Sequence, residues 1–150
     1  MNKKQEEIIS EEQEKSKPFE LSDLFTRERI NSGVWYEPRV ESLSLGLRFC
    51  ITGASSPDNL IAYQDYLFGV NEIKGEKTIA SFISKKTSLD ANMAAKLVID
   101  MQTVNGEEIT VNGIKLTDVK DALKKLFEEN NALAVDVIDF ATKESNFMNI

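Results

Sequence analysis

The sequence predicts an α+β domain, with a small antiparallel sheet and a β-hairpin packed against four to five short helices. Three observations carry that prediction. Residues Leu43 to Ile51 alternate apolar and less apolar side chains without a miss, the period of a half-buried strand. Asn112-Gly113 sits between Ile109-Thr110-Val111 and Ile114-Lys115-Leu116, and both turn residues tolerate positive φ, as a two-residue hairpin requires. Elsewhere apolar residues recur at spacings of three and four behind capping residues, the pattern of helices with one buried face.

From Asn2 to Pro18 the strongly apolar residues are Ile8 and Ile9, set among lysines and glutamates. So polar a segment buries too little surface to offset its ordering entropy. Residues 1–18 are therefore expected to be a flexible charged N-terminal arm, either a solvated extension or a segment that folds on a partner, and residues 19–150 a single domain. Phe19, Leu21, Leu24, Phe25 and Ile30 fit a short helix or capped turn, broken by Asn31-Ser32-Gly33. Val34-Trp35-Tyr36-Glu37 reads as a strand stopped by Pro38, and Leu43 to Ile51 as the next, giving a sheet over residues 34–52. Ser56-Pro57-Asp58 starts a helix to about Phe68, with Leu60, Tyr63 and Leu67 on one stripe, Ile61 and Phe68 beside it, and Gly69 and Gly75 marking its end.

Residues 77–86 place Ile79, Phe82 and Ile83 at helical spacing, and Thr87-Ser88-Leu89-Asp90 signals the start of another helix. On that helix Leu89, Met93, Leu97 and Met101 recur every four residues, and Ala94 and Ala95 allow a close neighbour. The hairpin follows, and whether it joins the 34–52 sheet is left open because register is not set by these residues. Thr117-Asp118 caps a helix carrying Val119, Leu123, Leu126 and Phe127 on one face. Asn130-Asn131 separates it from a last helix with Leu133, Val137, Phe140 and Ala141, followed by Phe147, and the short connection implies an antiparallel pair.

One hundred and fifty residues suit one core. With no histidine and one cysteine there is no Ser/His/Asp or Cys/His catalytic unit, no histidine-ligated metal and no internal disulfide. Eighteen basic residues against 25 acidic ones give a net charge of −7, which repels phosphate backbones, so nucleic acid is not an expected partner. No apolar run has the length of a signal peptide or membrane span, and a lone Cys50 fits a reducing compartment; the expected location is the cytoplasm, with no membrane partner.

Cys50 shares a strand face with Arg48 but has no base nearby in sequence, so it reads as a small packing residue. Asp136, Asp139 and Glu144, and Glu107 with Glu108, read as solvated faces. A calcium loop beginning at Asp100 fails, because Gln102 and Val104 stand where acids should and the glycine comes one place late. Neither GxGxxG nor GxxxxGK[ST] occurs. The expectation is a non-enzyme without catalytic, metal or cofactor residues. Phe19, Phe25, Trp35 and Tyr36 are the candidate partner-binding residues, since exposed aromatics are common anchors; a lid over the core competes as their role. Met93 and Met101 are expected in the core.

The segment Gly33-Val34-Trp35-Tyr36-Glu37 leads into the Leu43–Ile51 strand, and a helix follows near Asn59 to Tyr66. Later the polar turn Val104 to Leu116 leads into TDVKDALKKLFEENNALAVDVIDFATKESNF. In that order these features resemble small tail proteins of bacteriophages, in particular the tail assembly chaperone-like proteins. The resemblance covers Asp23 to Tyr66 and Ala94 to Phe147 and brings no catalytic or ligand motif; Pro38-Arg39-Val40 and the charged arm have no counterpart in it. It implies a non-enzymatic role in tail assembly, binding the tape-measure protein or tail-tube subunits as a chaperone in the host cytoplasm. A permanent virion subunit of the tail or head-tail connector is the alternative within that class. From another class, the acidic surface suggests a DNA-mimic inhibitor of a host enzyme.

Overall fold

Two runs of residues that look like separate helices in the sequence form one. In the computed structural model, which describes residues 20–149, helix α3 runs from Ile79 to Leu97 straight through Thr87-Ser88 (α2, Pro57–Ile73, precedes it). The apolar period stays in phase from Phe82 through Leu89 and Met93 to Leu97, so packing overrides the local capping signal. The true N-cap is Thr78, whose hydroxyl accepts from the Ser81 N–H. The arm expected over residues 1–18 lies outside the described residues, as does Phe19.

Helix α3 stops at Leu97, and the chain goes directly into strand β5 (Val98–Thr103). This corrects the expectation of a helix reaching Met101. A spacing of four keeps residues on one face of a strand as well as of a helix, so Met101 is buried either way. With β1 (Val34–Tyr36) and β4 (Leu47–Ile51) it forms an antiparallel sheet in the order β1-β4-β5. The register aligns Tyr36, Phe49 and Met101 on the core side; Trp35 and Cys50 share the outer side with Arg48, Asp100 and Gln102. A bulge at Ile99 skips one residue of β5, since Cys50 pairs with Asp100 and Ile51 with Val98.

The uninterrupted strand expected over 43–51 is split. Arg39–Val40 (β2) and Leu43–Ser44 (β3) make their own ladder around Glu41 and Ser42, both at positive φ, and Gly46 (φ 70) redirects the chain into β4. Leu43 and Leu45 are consequently exposed, and only Leu47, Phe49 and Ile51 of that alternation face the core. The hairpin forms as expected, β6 (Thr110–Val111) and β7 (Ile114–Lys115) flanking Asn112 (φ 51) and Gly113 (φ 81). It stands apart as a separate ladder, linked to β5 by a bridge between Gln102 and Glu108.

The remaining helices are α1 (Arg27–Ser32), preceded by a 3-10 turn at Leu21–Leu24, and α4 (Lys120–Glu129) with α5 (Asn131–Ala141). Helix α4 starts after a 3-10 turn at Leu116–Asp118 rather than under a Thr117-Asp118 cap. Helix α2 runs past Gly69, which does not end it. A Cβ on Gly69 would stand 3.0 Å from the Leu89 side chain, so the glycine lets α2 lie close to α3. The fold is α+β: the helices α2, α4 and α5 all pack on α3, and the inner face of the sheet meets this layer, with Phe49 edge-on to Phe127 at 6.1 Å. Buried Ala91, Ala94 and Ala95 permit the close approach to α3.

Gly33 closes α1 at φ 90, and a Cβ there would meet Cys50 Sγ at 2.7 Å. Gly33→Ala is expected to cost about 3 kcal/mol, combining backbone strain with overpacking, measured as a lowered midpoint at unchanged slope in urea unfolding.

Candidate partner-binding surface

The four aromatics singled out from the sequence fare differently. Trp35 and Tyr36 are neighbours on β1 and therefore point to opposite faces of the sheet. Trp35 is 42 % exposed on the outer face, with the Arg48 guanidinium 4.7 Å from its ring centre. Arg48 is itself held by the Gln102 side chain across the sheet, its Nε donating to Oε1 at 3.1 Å. Tyr36 points inward and stacks on Phe140 of α5 at 4.2 Å, with its hydroxyl donating to Asp136 Oδ2 at 2.8 Å. Burial first, then the bond to Asp136, pushes its phenol up to about 12. Tyr36 is thus a tether between the sheet and α5. Phe25 is exposed just before α1, and its carbonyl accepts from Arg29, which also donates to the Asp23 and Phe147 carbonyls. Arg29 and the Asn149–Asp23 bonds join the start and end of the described chain.

A larger apolar surface lies on α2. Its inner face carries Asn59, Ala62, Tyr66, Gly69 and Ile73, and Tyr63 stands at the edge of that face, lining a cleft with Leu60 beside Ile30, Ala54 and Phe147. Leu60, Leu67, Ile61 (72 % exposed) and Phe68 (61 % exposed) point to solvent. Just beyond the turn, Ile79 and Ile83 of α3 are exposed as well. The outer face of α2 mixes its four apolar side chains with Asp58, Gln64, Asp65, Asn71 and Glu72, so large apolar groups meet water beside charged ones in the isolated chain. The residues are legible as a helix but not its facing, because large apolar side chains occur on both sides.

What holds α2 in place is a buried carboxylate. Asp90 on α3 has no exposure and receives four donations: both its oxygens from Lys86 Nζ (2.7 and 2.8 Å), one from the Tyr66 hydroxyl (2.6 Å) and one from Asn131 Nδ2 (3.0 Å). Helices α2, α3 and α5 are thereby tied at one point. Burial, then the bond to Asp90, raises the Tyr66 phenol above its ordinary range. The signal in the sequence was the four-residue spacing of Lys86 and Asp90, which puts them on one helix face.

Beside this clasp, Ala62, Asp65, Tyr66, Leu89, Asn92 and Met93 line a mainly apolar cleft of about 270 Å³. Among the described residues Asp65 is the one carboxylate lining it. Cys50 is buried under Gly33, and burial, then Asp100, raises its thiol, the opposite of nucleophile activation. Among the described residues no group of three acids or cysteines could hold a metal ion, and no helix is long and apolar enough to cross a membrane.

Two expected outcomes test these contacts. The folded state favours the neutral Tyr36 phenol, so its contribution is complete below pH 10 and lost as pH rises from 10 toward about 12. Tyr36→Phe should remove the phenol that ionises near pH 12 in ultraviolet titration and cost about 1 kcal/mol at neutral pH. Asp90→Ala, which strands a lysine, a phenol and an amide, should cost about 3 kcal/mol, and Lys86→Ala with Asp90→Ala should cost less than the two singles added, read by urea unfolding.

No family model, curated protein or solved structure matches this chain.

Proposed function

We propose that the protein is a non-enzymatic binding module whose work is to hold another protein, and that it serves as an assembly chaperone for a phage tail component. The outer face of α2 carries this reading: four large apolar side chains, each about half or more exposed, lie on a helix that the Asp90 clasp helps hold in place. Exposed apolar surface of that kind is the usual mark of a protein–protein site. The tail assignment, with the tape-measure or tail-tube protein as client, comes from the resemblance of the Asp23 to Tyr66 and Ala94 to Phe147 stretches to tail assembly chaperone-like proteins. A long helical client suits a helix face better than a concave pocket would.

The test is capture from cells assembling the phage, with the tagged full chain as bait and a Leu67→Ser/Phe68→Ser variant beside it, compared with the protein content of purified particles. The expected result is capture of a long helical tail protein by the unaltered chain, loss of that capture in the variant, and no bait in the particles. Bait abundant in particles would make it a permanent tail or connector subunit. Capture of a host DNA-acting enzyme alone would point to a DNA mimic instead.

A further inference from the structure

The exposed residues of α2 form two parallel ridges. One runs Asp58, Ile61, Asp65, Phe68, Glu72, at steps of three and four; the other runs Leu60, Gln64, Leu67, Asn71. All nine are exposed. The three acids repeat every seven residues, nearly two turns, so they make a negative border along one side of the apolar stripe. Among the described residues none of the three takes part in a salt bridge, whereas Asp90, Glu76 and Asp100 each have a lysine.

We propose that this face receives a partner helix carrying lysine or arginine along one border of an apolar stripe, a proposal that rests on the protein-binding role above. The apolar side chains fit the stripe of an amphipathic helix laid along α2, and the acidic row selects a basic neighbour and repels an acidic one. A second copy laid antiparallel is a poor occupant, since that pairing brings the two negative rows together on chains of net charge −7. Anionic lipid and nucleic acid are repelled for the same reason.

Calorimetric titration of the full chain tests this with three synthetic amphipathic peptides of identical leucine stripe, flanked by lysine, glutamine or glutamate. The lysine peptide should bind about tenfold tighter than the glutamine peptide, the gain of three modest surface ion pairs, and the glutamate peptide weakest. The lysine preference should vanish at high salt and in Asp58→Asn/Asp65→Asn/Glu72→Gln, and survive in Glu107→Gln/Glu108→Gln/Glu128→Gln, which removes as much charge elsewhere. Leu67→Ser/Phe68→Ser should lose all three peptides while keeping its helical circular dichroism. Equal binding of the lysine and glutamine peptides would overturn the charge selection and leave the protein-binding role standing. Binding that ignores Leu67→Ser/Phe68→Ser would overturn the site. A concentration-dependent dimer, broken by that variant in sedimentation, would make the occupant a second copy.

Discussion

A carboxylate without any exposure must be neutralised where it stands, and in this fold that requirement falls on Asp90. Leaving it unpaired would cost several kcal/mol, so Lys86, Tyr66 and Asn131 have to arrive together. They come from α3 itself, α2 and α5, which makes the relative placement of three helices a single condition. The lysine is the cheapest member to supply, since its position one turn before Asp90 is guaranteed by the helix and its stem can lie along the surface. Tyr66 and Asn131 carry the tertiary information.

The rotation of α2 follows from that condition. With Tyr66 turned inward to reach Asp90, and Gly69 turned inward to admit Leu89, the residues on the same side are Asn59, Ala62 and Ile73, with Tyr63 at its edge. The opposite side must then carry Leu60, Ile61, Leu67 and Phe68. A hydrophobic stripe alone would have preferred the reverse orientation. Small and polar residues that pack closely or bond specifically have won over residues that merely prefer to leave water, and the consequence is a surface that is apolar by construction of the core rather than by accident.

How much of this was legible in the sequence depended on whether a local pattern had one physical solution. Asn112-Gly113 admits little but a tight turn, and the hairpin is where it was expected. Helices α4 and α5 have single apolar faces and lie at their expected places. Met93, Leu97 and Met101 had two solutions, because a four-residue spacing satisfies a helix and a strand, and β5 was hidden by it. The leucines at 43 and 45 kept the period of a strand that the chain leaves at Gly46, a turn decided by backbone geometry that alternation does not encode. The adjacency of Trp35 and Tyr36 suggested one aromatic patch, although strand parity sends them to opposite faces; the register with Arg48, Asp136 and Phe140 that gives each its role is a tertiary matter. The orientation of α2 was the least legible, since it hangs on a buried tyrosine–aspartate bond between residues that a sequence reading treats as surface.

Magnitudes decide what the outer face of α2 can do. Its four large side chains are already partly covered by neighbours, so completing their burial yields about 1 kcal/mol each, about 4 kcal/mol together. Bringing two molecules into one complex costs about 4–15 kcal/mol in lost freedom. An equal stripe on the partner contributes about as much again, so apolar contact at this face leaves a weak net attraction. A stable complex has to extend along the helix, gathering Ile79 and Ile83 past the turn, or draw on the three acids at the border. Weak apolar attraction with a charged margin gives an interface that can release, because exposed ion pairs contribute little once water and salt compete for them. Such reversibility suits the chaperone role proposed above, which has to let its client go, better than it suits a permanent joint.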